Sequence, residues 1–493
     1  MSKEQRNLII LHTNDIHSHF EQMPKISAYF RSVREAAAPD TVLALDIGDH
    51  MDRARPETEG TGGVANIELM NATGYDAMAL GNNEGLTFTP QQMREAFSKH
   101  ARFPVVGSNI VDMATGAVPD WMVPTHIVRR AGLTIGLIGV TAAFAAFYEL
   151  LGWQVGEPLA AVAAHVGALR PQVDVLIVMS HLGLPLDQRM AAEVAGIDVI
   201  LGGHTHHVLE EPLRIGSTWL GAAGKFGQYA GRLDLVYDRS IGGVRELRGG
   251  LVELGDDAPV DSSVAALLDG FREASRLALD TEVARLKQPL HLDWYGESPL
   301  GNLLAAGIRR WTGADVGVVN AGQLLQGLKE GRVTRGRLLE ICPGPINPCR
   351  LRLSGKELQQ ALEESLLAQF MQRPIRGFGF RGEVLGVLCL DGIDVWVDDR
   401  RPPYEKVVAA SIGGAPLDPQ REYTVGSIDM FTFGVGYYSL CRASRVEYLL
   451  PEFIRDVLAV ELRDEEALRV CADERIHRLG GESEQGGKLG IEA

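Results

Sequence analysis

Five short segments of this chain carry oxygen and nitrogen side chains of the kind that bind divalent cations. They are His12-Thr13-Asn14-Asp15-Ile16-His17, Gly48-Asp49, Gly81-Asn82-Asn83-Glu84, Ser180-His181-Leu182-Gly183 and Gly202-Gly203-His204-Thr205-His206. Together they supply two carboxylates (Asp15, Asp49), one amide (Asn82) and four imidazoles (His17, His181, His204, His206). That inventory suffices for two cations side by side, a standard device for displacing an ester from phosphorus. A cation pair lowers the pKa of a shared water, so hydroxide is available near neutral pH and no protein nucleophile is needed. Nitrogen and oxygen donors without thiolate suit zinc, manganese, iron or cobalt rather than a purely magnesium site. Asp15 and His17 are two apart and point the same way in an extended loop. Asp49 follows a glycine, which permits a sharp turn. A carboxylate at that place is a natural bridge between two ions. The flanking His12, His19 and His207 are expected to orient ligands or to face solvent.

Such scattered ligands need a scaffold, and nearly every segment follows a short apolar run that reads as a strand. Strands are expected at 8–12, 41–45, 77–80, 105–107, 133–140, 173–179 and 198–201, with helices at 24–37 and 65–73. Strand, polar loop and helix in alternation is an α/β pattern, which places its sites after strand ends. Strands at 232–237 and 243–253 close this first region. A long amphipathic helix over 261–286 reads as a bridge. A second α/β region follows, with helices at 300–311 and 355–367 and strands at 316–320, 350–353 and 422–426. The expected divisions are a first domain at 1–255, a linker helix at 256–286, a second domain at 287–445 and a helical tail at 446–493. The Gly- and charge-rich stretch 480–493 is expected to be disordered.

The bulk properties agree with a two-domain globular protein. The chain has 493 residues, beyond the size at which one core stops growing. A net charge of −16 argues against nucleic-acid or anionic-membrane partners. The five cysteines form no CxxC pair and are odd in number, which fits free thiols in a reducing compartment. The first apolar run is too short for a signal-peptide core, and no run approaches a bilayer span, so the cytoplasm is the expected location.

The order Thr-Asn-Asp-x-His, Gly-Asp, Gly-Asn-x-Glu, Ser-His-Leu-Gly, Gly-Gly-His-Thr-His resembles the calcineurin-like metallophosphoesterases. More closely it resembles the two-domain bacterial 5′-nucleotidase/UDP-sugar hydrolase family, over about residues 8–440. Glu297-Ser298-Pro299-Leu300-Gly301-Asn302-Leu303, Val318-Val319-Asn320-Ala321-Gly322, Leu353-Ser354-Gly355-Lys356-Glu357-Leu358 and Gly434-Val435-Gly436-Tyr437 are similar to that family's substrate-domain segments. The resemblance implies a four-layer α/β/β/α metallophosphatase domain joined by a helix to a smaller α/β substrate-binding domain. It implies one metal on Asp15, His17, Asp49 and His206, and another on Asp49, Asn82, His181 and His204. It implies hydrolysis of phosphate esters of a small, nucleotide-like molecule.

Several positions depart from the family pattern. Its Gly-Asn-His-Glu-Phe-Asp is Gly81-Asn82-Asn83-Glu84-Gly85-Leu86 here. Asn83 therefore occupies the catalytic histidine's place and Leu86 that of its supporting acid. An amide donates a hydrogen bond but carries no positive charge, a loss worth about 2–4 kcal/mol of transition-state stabilisation. The family's substrate-binding arginine is Leu325, the Pro-Phe of its base-stacking segment is Pro343-Gly344, and its loop aspartate is Val435. The candidates for a rebuilt pocket are Asn320, Asn347, Phe378, Phe380 and Tyr437, with Arg376 or Arg381 for a phosphate. Phe378 and Phe380, two apart, equally fit one face of a strand. The alternatives to a monoesterase are a phosphodiester or other ester hydrolase on the same metals, and a weakened nucleotide-binding sensor. No Gly-x-Ser-x-Gly elbow supports a serine hydrolase.

Overall fold

The computed structural model describes residues 4–479, which divide into two compact units, the first ending at Asp280 and the second beginning at Thr281. In the first unit, two mixed sheets lie face to face. The seven-stranded sheet runs in the order Gly243–Glu253, Tyr229–Asp238, Gln5–Thr13, Val42–Asp46, Ala77–Ala79, Val105–Val106, Met122–Val123. The six-stranded sheet runs Leu213–Ile215, Thr218–Ala222, Val199–Gly202, Val175–His181, Leu133–Thr141, Thr125–Arg130.

Side-chain alternation explains the layering. Leu133, Ile135, Leu137, Val175, Ile177, Met179, Val199 and Leu201 meet Leu8, Ile10, Leu43 and Leu45 between the sheets. The intervening Ile138, Val140, Leu176, Val178 and Ile200 turn outward onto Val162, Val166 and Met190 of the helices Pro158–Leu169 and Leu184–Glu193. Strands covered on both faces read as continuous apolar runs, which is why they stand out in the sequence. The helices Met23–Ala36 and Val64–Thr73 cover the other side of the seven-stranded sheet, giving four layers, α/β/β/α.

The central strands of both sheets are parallel, so their carboxyl ends gather at one edge. Thr13 pairs beside Asp46 and Asp46 beside Met78 in one sheet; Ser180 pairs beside Gly202 in the other. Five of the seven candidate ligands lie in the loops just past these ends, His181 is the last residue of its strand, and Asn82 is the first residue of the helix Asn82–Thr87.

The stretch 256–286 is two elements rather than one linker helix. A helix spans Ser262–Leu279, buries Val264, Leu268 and Leu279 and packs on the helices Pro56–Thr61 and Met23–Ala36 of the first unit. Asp261 caps it, accepting from the backbone N–H of Ser263 at 2.9 Å and from the Ser27 hydroxyl at 2.9 Å. Glu282–Leu286 is then a strand paired with Gly331–Thr334 in the second unit. An amphipathic period says that a helix covers something; it does not say which unit it covers.

The second unit holds a five-stranded sheet, Leu388–Asp391, Val316–Asn320, Glu422–Ile428, Pro348–Ser354, Arg445–Tyr448, and a four-stranded one completed by Ile476–Arg478. Helix Pro299–Thr312 lies in its core. Ile454, Val457, Leu458 and Ala467, from the region expected as a tail, belong to that same core. Residues 480–493, expected to be disordered, lie outside the described residues. Among the described residues no helix is long and apolar enough to cross a membrane.

Candidate metal centre

The strand-end loops bring the ligand atoms of Asp15, His17 and His206 within 4.8 Å of one another, and those of Asp49, His181 and His204 within the same limit. The two groups adjoin. Asp49 Oδ1 lies 3.3 Å from His181 Nε2 and Asp49 Oδ2 lies 4.0 Å from His17 Nε2, so this carboxylate faces both. Asp15 Oδ1 lies 3.4 Å from His206 Nε2 and 3.7 Å from His17 Nε2. His17 and His206 present their Nε2 atoms to each other at 3.2 Å.

The backbone is strained to achieve this. Eleven non-glycine residues among those described have positive φ, and five of them are candidate ligands: Asp15, His17, Asp49, His204 and His206. Each such conformation costs about 1 kcal/mol or more and persists only where the surroundings impose it. Here they do. Asp15 N–H donates to Gly48 O at 3.0 Å and His17 N–H to Asp49 O at 2.9 Å, tying the first two loops together. Gly81 lies so close that an added Cβ would stand 2.1 Å from the Asp49 nitrogen, and Gly48, with φ of +90°, is equally crowded against Gly81.

The donor set fits a pair of cations. The N–H at His181 Nδ1 donates to Ile47 O at 2.8 Å, which leaves Nε2, facing Asp49, as the atom that can take a cation in place of a proton. His181 Nε2 and Asn82 Oδ1 are both buried without a hydrogen-bond partner. Buried orphans are rare and costly, and two beside paired carboxylates mark a place for positive charge. The protonation equilibria carry the same message. Burial alone would lower the His181 pKa, but the Asp49 carboxylate, with Asp15, outweighs it and pushes it up to about 10. Burial would raise the Asp49 carboxyl; the charge and contact of His181 hold it below the ordinary range instead. A field that draws a proton onto a buried imidazole also attracts a divalent ion.

Glu84 supports the centre from beneath. It is fully buried, accepts from the backbone N–H of Asp49 at 3.0 Å, Gly81 at 3.1 Å and Met51 at 2.8 Å, and is pushed up to about 8 by burial and by Asp49. Glu84→Ala leaves three buried N–H groups unpaired and is expected to destabilise the first unit by about 3 kcal/mol or more, read by denaturant unfolding. Its motif drew attention to it, but its work on the loop backbone is a tertiary fact. Asn14 is similar. Its amide joins Asp15 Oδ2 at 2.7 Å to Gly224 O at 2.7 Å and so fixes the first carboxylate.

The flanking histidines divide. His12 is buried against Gly221 and Gly231, and burial lowers its pKa to about 4, so it is a packing residue. His19 packs against Phe226 with ring centroids 4.0 Å apart and the planes tilted by 32°, and His207 Nδ1 lies 2.8 Å from the Thr205 hydroxyl.

The Asn83 side chain meets the loop framework. Its amide nitrogen lies 3.0 Å from His17 Nδ1 and donates to Met51 O at 3.1 Å, both part of the loop framework. Beside it, Gly85 leaves room for the buried Tyr148 ring, whose hydroxyl would stand 2.8 Å from an added Cβ.

In the second unit, four of the five substrate-pocket candidates are committed to the fold. Phe380 is in the core, and Tyr437 is buried with its hydroxyl donating to Gly386 O. Asn320 donates to Leu385 O at 2.6 Å and accepts from Gln323 at 3.0 Å; Asn347 donates to Glu452 O at 2.8 Å. Phe378 alone is exposed, and it pairs with Phe433, also exposed, at 5.6 Å between centroids. Sequence reasoning missed Phe433.

The calcineurin-like phosphoesterase family profile matches residues 8–208, and the 5′-nucleotidase C-terminal domain profile matches 281–439. The chain is 36% identical over 461 residues to the uncharacterized metallophosphoesterase YunD of Bacillus subtilis, covering 93% of this chain and 99% of that one. The chain belongs to the calcineurin-like metallophosphoesterases, in their two-domain 5′-nucleotidase form. It is also 26% identical over 466 residues to a human 5′-nucleotidase, covering 82% of this chain and 78% of that one. A solved 5′-nucleotidase precursor from Thermus thermophilus shares the fold, with a TM-score of 0.59 at 22% identity, over 96% of this chain and 99% of that one. This metallophosphoesterase is thus a hydrolase of phosphate esters, with two candidate cation clusters at the strand ends of its first unit.

Proposed function

We propose that the protein hydrolyses a phosphate monoester of a small, nucleotide-like molecule, using two divalent cations drawn from zinc, manganese, iron and cobalt. The convergence of two carboxylates and four imidazoles into two adjoining clusters carries this reading. Asp15, His17, Asp49 and His206 would hold one ion, and Asp49, Asn82, His181 and His204 the other. Bound cations supply Lewis acidity toward the phosphoryl oxygens and a water that is acidic enough to react near neutral pH. The chain's own residues do the rest. Asp49 joins the two clusters, His181 is held through Nδ1 by Ile47 O, and Glu84 and Asn14 hold the carboxylate-bearing loops. None of the five cysteines, all unpaired, belongs to either cluster, which supports a site without thiolate and a reducing, cytoplasmic location.

The exposed Phe378–Phe433 pair in the second unit supports a nucleobase-like group on the substrate, since stacking on one aromatic ring contributes about 1–3 kcal/mol. Phe378→Ala is expected to raise KM for nucleoside monophosphates about tenfold while leaving KM for 4-nitrophenyl phosphate unchanged. Equal KM values for variant and wild type on both substrates would remove the stacking role.

The overall test is turnover of monoesters, diesters and nucleotides by protein loaded with manganese or zinc. Absence of turnover across the panel, with both cations bound, would point to the sensor reading. Turnover of diesters alone would favour the second reading, which the committed amide of Asn83 and Leu325 in place of an arginine motivate.

A further inference from the structure

Asn83 touches a candidate ligand of each cluster at once. Its backbone N–H donates to Asp49 Oδ1 at 2.7 Å, and its amide nitrogen meets His17 Nδ1 at 3.0 Å. Its Oδ1 accepts from the Asn82 amide at 3.4 Å, and that same Asn82 side chain carries the buried, unpartnered Oδ1. A primary amide has two N–H groups, and here one faces His17 and the other Met51 O. In this orientation none remains for a phosphoryl oxygen.

We propose that Asn83 is a positioning residue whose side-chain amide, as the partner of His17 Nδ1, sets the cation affinity of the cluster that holds His17. The proposal rests on the cation-binding reading of the site. Its physical basis is the partner that a ligating imidazole needs on its other nitrogen, which fixes ring orientation and basicity. A His17 that ligates through Nε2 carries its proton on Nδ1, so the amide then has to accept through Oδ1, turned over at the loss of its contacts with Met51 O and the Asn82 amide. The backbone N–H that holds Asp49 survives any side-chain change, so a substitution at Asn83 tests the amide alone.

The test is calorimetric titration of Mn2+ into the chelator-stripped full chain, with bound metal counted by elemental analysis. Wild type is expected to take two equivalents. Asn83→Ala is expected to raise the Kd of at least one equivalent by about 10–100-fold, the usual consequence of losing a partner behind a ligand. The Mn2+ concentration for half-maximal hydrolysis should move by the same factor. In a His17→Ala background the substitution should add much less to the Kd of the first cluster, because the two residues act through one hydrogen bond. Wild-type Mn2+ affinity in Asn83→Ala overturns the proposal, and a rate lowered equally at every Mn2+ concentration would then assign Asn83 to the reacting group. Asn83→Ser, which is too short to reach His17, is expected to give the same Kd shift and serves if the alanine variant does not fold. A wild-type chain that binds no cation overturns the metal-hydrolase reading itself, an outcome distinct from unchanged affinity in the variant.

Discussion

Asp49→Ala is expected to lower kcat/KM for any phosphate ester by about 10³-fold or more. Asp49 sets one carboxylate oxygen 3.3 Å from His181 and the other 4.0 Å from His17, so on the proposed bridging role its removal would take an oxygen ligand from both clusters. A cation's stabilisation of transition-state charge is worth several kcal/mol, and each 1.36 kcal/mol is a factor of ten. The same substitution leaves His181 without the carboxylate that outweighs its burial, so its pKa is expected to fall steeply from about 10. Kinetics on metal-loaded wild type and variant, with elemental analysis of both, checks the expectation. A variant that keeps two cations and more than a tenth of the wild-type rate would show that Asp49 is not the bridge.

Chelation is expected to lower the melting temperature of the first unit by about 10 °C and to leave the second unit unmoved. A ligand at 100 times its Kd stabilises the native state by about 2.7 kcal/mol, so two cations contribute about 5 kcal/mol, and a domain of this size shifts about 2–4 °C per kcal/mol. All seven candidate ligands belong to the first unit, which ends at Asp280. Differential scanning calorimetry with and without chelator resolves the two units, and added Mn2+ should restore the lost stability. Identical scans in both conditions would sink the expectation. Asp49→Ala, lacking the bridge, should show a much smaller chelator effect than wild type.

The ligand set was legible in the sequence because its signals are local. A both-face-buried strand is an unbroken apolar run, and Asp15, Asp49, Asn82, His181 and His204 follow such runs within a few residues. Parallel strands send those ends to one edge, so chain order alone implied convergence. Edge strands were less visible: Thr125–Arg130 and Leu213–Ile215 are only partly buried and lack the run. The aromatic candidates show the same limit from another side. Phe378 and Phe380 are two apart, but Gly377, Phe378 and Gly379 all have positive φ, so the chain turns there and the period-two rule for strands does not apply. One ring is consequently exposed and the other enters the core.

What the sequence by itself determined is the chemistry on offer: seven candidate nitrogen and oxygen ligands, their order, and the strands that carry them. The tertiary structure alone decided what stands behind those ligands. It put Glu84 under three backbone amides, turned Asn83 toward His17 and Met51, filled the space at Gly85 with Tyr148, brought Phe433 to Phe378 across 55 positions, and assigned the helix Ser262–Leu279 to the first unit. Ligand identity follows from side-chain type and a strand end, both local properties. Partner choice depends on which distant segments fold to within about 3 Å, and no short-range pattern encodes that distance.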